Sequence, residues 1–135
     1  MNRKLKIYQT KEYQELSKYL EGEGVDKDIL NLVTLLNCID GIDTVYSCAG
    51  THGEVPKFYV MLDVELDVAL FFFNELAADK YNGFRVGKNT YALFDIKLEN
   101  RNRYIIEGLP YAKFNRQRIA WLTKWLENKF FDREA

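Results

Sequence analysis

Thr44-Val45-Tyr46-Ser47-Cys48-Ala49-Gly50-Thr51-His52-Gly53 reads as a strand that runs into a glycine-bearing turn. β-branched and aromatic residues fill Ile42 to Cys48 and return from Lys57 to Asp63, so the stretch forms one arm of a strand pair joined across the loop from Gly50 to Pro56. Because a tight connection suits antiparallel neighbours, this pair sets the class of the fold once its flanks are read as helices.

Upstream, Lys11 to Leu20 places Tyr13, Leu16 and Leu20 on one side of a helix, which Gly22 and Gly24 stop. Asp26 is a natural cap for a second helix. In it Ile29, Leu32, Val33, Leu36 and Ile39 keep three-and-four spacing until Asp40-Gly41. Downstream, Glu65 to Asp79 is helical, with Leu66, Ala69, Leu70, Phe73, Leu76 and Ala77 expected on the buried face and Asn82-Gly83 at the exit. The period then changes to two. Phe84 to Val86, Thr90 to Leu98 and Arg103 to Glu107 read as strands, broken at Gly87-Lys88-Asn89 and at Glu99-Asn100-Arg101-Asn102, with Ala92, Phe94, Ile96 and Leu98 inward. Asn115 to about Phe130 is a last helix, striped by Ile119, Leu122, Leu126 and Phe130 and flanked by Trp121 and Trp125. Hairpins mixed with helices favour an α+β fold, a mixed or antiparallel sheet of about five strands covered by about four helices, over a doubly wound parallel one.

The chain of 135 residues matches one ordinary domain, expected to span 1–135. Its 19 basic and 20 acidic residues nearly cancel, which argues against a general electrostatic grip on nucleic acid. No apolar run approaches the roughly 20 residues of a membrane span. The basic start, Met1 to Lys6, runs into Gln9, Lys11 and Glu12 rather than an apolar core, so no export signal is read. Two cysteines without such a signal are expected as thiols in the cytoplasm.

The candidate chemistry lies in the opening stretch. Cys48 is a candidate nucleophile and His52, the chain's one histidine, its candidate base; the plainer alternative is a small buried cysteine beside a histidine that bonds its own loop. Gly50 and Gly53 bracket Thr51 and His52, and such a loop can cradle an anion with backbone N–H groups, assisted by the hydroxyls of Ser47 and Thr51. A connecting loop with no ligand is the alternative. Cys38, Cys48 and His52 exhaust the Cys and His supply, and Cys38 lies half a turn off its helix stripe, so no metal site is expected. Of the carboxylates Asp63, Glu65 and Asp67, the last two suit a helix start better than acid-base chemistry. Phe71-Phe72-Phe73 is read as packing. No motif fixes a reaction or names a cofactor, which leaves open whether the protein is an enzyme.

Ser47-Cys48-Ala49-Gly50 after an apolar strand, followed past the loop by Tyr59-Val60-Met61-Leu62, resembles the serine-cysteine-small-glycine signature of the tRNA wybutosine-synthesis methyltransferase-like family, the third protein of that pathway. It is also similar to small bacterial and phage proteins with a Ser-Cys-x-Gly-His motif. The likeness spans Leu36 to Leu62. In the tRNA-modifying family arginine follows the glycine, whereas here Thr51 does. The resemblance implies a compact α+β fold and binding of a nucleotide-like ligand, a methyl donor such as S-adenosylmethionine, or modified RNA near the loop. The leading expectation is a ligand-binding domain whose Ser47–Gly53 loop takes a nucleotide-like or anionic small molecule, with a possible role in RNA modification. The rival is a non-catalytic interaction protein, phage-encoded in one version, whose Lys113, Arg116, Arg118, Lys124 and Lys129, with Tyr111, Trp121 and Trp125, engage a protein or an RNA.

Overall fold

The computed structural model describes residues 6–50, 57–79, 84–88, 101–108 and 114–131. A 3-10 turn, Lys6–Gln9, leads to α1 (Lys11–Gly22) and α2 (Lys27–Asn37), followed by β1 (Ile42–Cys48), β2 (Tyr59–Glu65), α3 (Leu66–Ala78), β3 (Phe84–Lys88), β4 (Arg101–Gly108) and α4 (Asn115–Phe130). The described strands form one antiparallel sheet in the order β1-β2-β4-β3. This is an α+β architecture with four described strands where about five were expected; the expected strand Thr90–Leu98 lies outside the described residues. β4 inserts between β2 and β3, so the connection through α3 makes a split β-α-β unit.

The two faces of the sheet differ because side chains alternate along a strand. Val60, Leu62 and Val64 of β2 are fully buried, as is Ile106 of β4, which lies opposite Val60. Helices cover this face: α2 packs on β1 and on α4, and α3 on β2. On the other face Asp63 lies opposite Arg103, which grips it with two hydrogen bonds, Nε to Oδ1 at 2.7 Å and Nη2 to Oδ2 at 3.1 Å. The fork satisfies both carboxylate oxygens, so Asp63 is a structural anion. Glu65 stands at the N-cap of α3 and Asp67 in its first turn, where acids meet the positive helix end.

Local signals place the helix starts well. Thr10 Oγ1 accepts from the Tyr13 amide at 3.1 Å, and Asp26 Oδ1 from the Asp28 amide at 3.2 Å, the cap read from the sequence. Strand ends move further. Gly87 and Lys88 belong to β3, opposite Ile105 and Tyr104, and Arg101 and Asn102 belong to β4, opposite Glu65 and Val64. Glycine and polar residues there read as turns, yet ladder partners extend the strands through them.

The face of α3 also differs from the expected one. Ala69, Phe72 and Leu76 are buried, whereas Leu66 and Leu70 are 47% and 69% exposed. The helix is apolar nearly all round, so its own pattern does not select a side. Rings on α4 do: Phe72 stacks on Phe130 at 5.4 Å between centroids and meets Trp125 edge-on at 5.3 Å. Trp125 in turn donates its indole N–H to Asp79, and Lys129 bonds Glu75, closing the far ends of the two helices.

A hydrogen-bonded chain ties the N-terminal segment to the bundle. Tyr13 donates to Asn31 Oδ1 at 2.7 Å, Asn31 Nδ2 to the Tyr8 hydroxyl at 3.0 Å, and Tyr8 to Glu127 Oε2 at 2.6 Å. Burial and the bond to Glu127 raise the Tyr8 phenol above its ordinary value, and burial does the same to Tyr13. Among the described residues no helix is long and apolar enough to cross a membrane.

Two outcomes follow for stability. Phe72→Ala lowers the unfolding free energy by about 3–5 kcal/mol, while Leu70→Ala changes it by no more than about 0.5 kcal/mol, measured by urea unfolding. A phenol whose folded pKa is raised contributes stability that is fully present below its unfolded value of 10.0 and is lost as pH rises through the folded one. Tyr8→Phe therefore weakens the protein at pH 7 by about 1 kcal/mol and flattens the decline of stability above pH 10, read from urea midpoints across that range.

Candidate functional site

Register places the motif residue by residue. β1 pairs with β2 as Thr44 to Leu62, then Tyr46 to Met61, Ser47 to Val60 and Cys48 to Tyr59, with a bulge between Thr44 and Tyr46. One extra residue in a strand reverses which face each later side chain takes. Ser47 therefore shares the helix-covered face with fully buried Val60, while Cys48 shares the opposite face with Tyr59. Tyr46, on the same face as Cys48, is 65% exposed. The two motif side chains thus flank the strand end rather than point into one pocket.

Past Cys48 the chain turns inward. Ala49 is fully buried, and Gly50 is buried with φ at +67°, a conformation that side-chain-bearing residues rarely adopt. Space forbids a side chain there too: a Cβ would lie 2.5 Å from the Lys57 carbonyl carbon and 2.6 Å from Asn115 Nδ2. Both ends of the loop that starts at Gly50 and ends at Lys57 are thereby in contact. Gly108, at the end of β4, meets the same cluster, its amide donating to the Phe58 carbonyl at 2.8 Å, while a Cβ on it would strike the Phe58 ring.

Beneath Gly50 the first turn of α4 is polar and buried. Asn115, fully buried, donates from Nδ2 to the Gly50 carbonyl at 3.0 Å. Arg118, 7% exposed, reaches Asn115 Oδ1 from Nη1 at 3.5 Å and holds its guanidinium 5.7 Å from the Phe114 ring centre. A charge buried this deeply needs polar company, and among the described residues no buried side-chain nitrogen or oxygen lacks a hydrogen-bond partner. Phe114, the N-cap residue of α4, has a side chain with no oxygen to cap the helix. The root of the loop thus brings together a helix N-terminus, a buried guanidinium and a left-handed glycine.

Thr51, His52 and Gly53 lie outside the described residues, so of the sequence-read site Ser47, Cys48 and Gly50 are placed. Cys38 caps the C-terminus of α2, at the end of the chain segment from which β1 starts, while Cys48 ends β1, some 20 Å of strand away at about 3.3 Å per residue. The two thiols are unpaired and do not converge. Burial pushes the Cys38 thiol up to about 11, with Glu12 adding to the shift, which makes it a poor nucleophile. Among the described residues no three His, Cys, Asp or Glu side chains gather as a metal site.

The described basic residues of α4 divide between core and surface, with Arg116 and Lys129 exposed. Arg118 is buried, Arg116 pairs with Asp28 at 3.4 Å, and Lys129 with Glu75 at 3.3 Å and Asp79 at 3.6 Å. Trp125 is 5% exposed; Lys124 is exposed. Lys113 and Tyr111 lie outside the described residues. A shallow, open groove of about 590 Å³ runs along α1 between Tyr13 and Gly22, lined by Gln14, Ser17, Lys18 and Glu21 of a helix with no buried residue, rather than the enclosed and mostly apolar walls of a typical ligand site.

The sequence offers Asn115 as a helix start and Arg118 as part of a basic surface, and gives neither of them, nor Gly108, a place in the site. A signal existed: Asn115 and Arg118 continue the line of Ile119, Leu122 and Leu126 back to the helix start, so polar residues occupy the buried stripe. Comparison of the chain with protein-family models, with curated proteins and with solved structures finds no match. The class the structure defines is an α+β domain with helices on one face of an antiparallel sheet and a polar, buried loop root at the end of β1.

Gly50→Ala is expected to destabilise the protein by about 2–3 kcal/mol, since it combines left-handed strain with overpacking against Lys57 and Asn115. Gly24, whose φ of +92° adds the strain alone in open space, provides the comparison: Gly24→Ala should lose about 1 kcal/mol. Thermal or urea unfolding of the two variants measures the difference.

Proposed function

We propose that the protein is a small ligand-binding domain whose Ser47–Gly53 loop receives a nucleotide-like or other anionic small molecule at the end of β1. The observation that carries this reading is the loop root itself: Gly50 rests on the first turn of α4, where Arg118 brings a positive charge and the helix N-terminus a partial one. Gly50 allows the backbone the close approach that a phosphate or carboxylate needs. In this reading Ser47, on the helix-covered face, and Thr51 offer hydroxyls, His52 shapes or acts in the site, and Cys48 borders it from the opposite face of the strand end. The likeness of Leu36 to Leu62 to the tRNA wybutosine-synthesis methyltransferase-like family favours a nucleotide-like ligand and a role connected with RNA modification. Two unpaired thiols set well apart suit a reducing compartment, the cytoplasm.

Thermal melts with pyrophosphate, AMP and S-adenosylmethionine test the reading. A ligand at ten times its Kd stabilises by about 1.4 kcal/mol, a rise of about 5 °C for a chain of this size. At least one probe should produce that rise, and His52→Ala should diminish it while leaving the ligand-free midpoint in place. Melts unmoved by all three probes, at concentrations up to the millimolar range, would overturn the proposal.

A further inference from the structure

The loop that the proposed function invokes is held at its root by a residue 65 positions away in the chain. Asn115 is fully buried at the first position of α4, a place where an asparagine would ordinarily meet water. Among the described residues its amide meets partners of opposite demand. Nδ2 donates to the Gly50 carbonyl at 3.0 Å, and Oδ1 accepts from Arg118 Nη1 at 3.5 Å. A carboxamide supplies a donor and an acceptor on one flat group, and Asn is the shorter of the two side chains that carry it.

The surroundings are shaped to that group. A Cβ at Gly50 would lie 2.6 Å from Nδ2, and one at Gly108 would lie 3.2 Å from Oδ1. Two glycines from different parts of the chain thus leave the space that the amide occupies. Gly50 is also the residue packed against Lys57, so fixing its carbonyl fixes the point where the two ends of the loop meet.

We propose that Asn115 is a positioning residue for the end of β1, its side-chain amide tying the Gly50 carbonyl to α4 and so presetting the loop root, Ser47 to Gly50, for an anionic ligand. This rests on the loop being the ligand site. The gain is preorganisation: a loop already ordered at its root loses less entropy when a ligand arrives.

The test uses the full chain without ligand. Asn115→Asp keeps the size of the side chain and an acceptor for Arg118, removes the amide donor, and sets a carboxylate against the Gly50 carbonyl. Alkylation by iodoacetamide, followed at each cysteine by mass spectrometry of peptides, then reads Cys48 near the loop root against Cys38 at the far end of β1. The expected result is a Cys48 rate about tenfold above that of the native chain with the Cys38 rate within about twofold, since one lost buried hydrogen bond opens the loop root locally. A Cys48 rate left unchanged, or both rates raised together, would overturn the proposal, the second outcome making Asn115 a general core residue. Should Asn115→Asp fail to fold, Asn115→Ala removes the same donor without adding charge and is read by the same ratio. No ligand enters this experiment, so its failure is separate from that of the melts with pyrophosphate, AMP and S-adenosylmethionine.

Discussion

Burial of one face of β2 is the constraint on which the remaining structure depends. The strand is paired with β4 along its whole length and with β1 from Tyr59 to Val64, and Val60, Leu62 and Val64 are removed from water entirely. A one-residue slip would send all three to the opposite face, where Asp63 and Arg103 sit. That penalty fixes the register of the neighbours, and the register fixes where Ser47, Cys48 and Gly108 end up. The Asp63–Arg103 fork locks the same register from the other side, since it forms only when the two residues lie opposite one another.

The bulge in β1 shows how a small irregularity acquires consequence at the strand end. Without it Thr44 and Tyr46 would face the same way. With it Tyr46 turns outward, Ser47 turns toward the helices and Cys48 returns to the open face. A serine and a cysteine adjacent in sequence look like parts of one site, but alternation gives them to opposite sides of the sheet. What lies on the common path of the chain is the backbone of Ala49 and Gly50, and this is the part of the motif that α4 grips.

The helices illustrate a second kind of dependence. α2 carries a distinct apolar stripe: of its expected residues Ile29, Leu32, Val33 and Leu36 are buried, and Ile39, past the helix end, is partly so. α3 is apolar on nearly every side, so the choice among its possible faces falls to partners elsewhere in the chain. Trp125 and Phe130 of α4 take Phe72, and Leu66 and Leu70 are left toward solvent. The triple phenylalanine is accordingly split three ways, with Phe72 in the core, Phe73 against the Tyr104 ring and Phe71 half exposed beside Phe130.

Sequence alone determined the elements and their class. Periodicity, caps and turn residues are local properties, so the spans of α2, β1 and α4 and the Asp26 cap could be read directly, and an α+β arrangement followed from their order. The motif at the end of β1 was legible for the same reason. Strand ends, the buried side of α3 and the roles of Asn115 and Arg118 were decided only in three dimensions. Ladder partners, ring contacts and a hydrogen bond between residues 65 apart are long-range interactions. No window of neighbouring residues contains them: an asparagine opening a helix has the same local appearance whether it faces water or holds the carbonyl of a distant glycine.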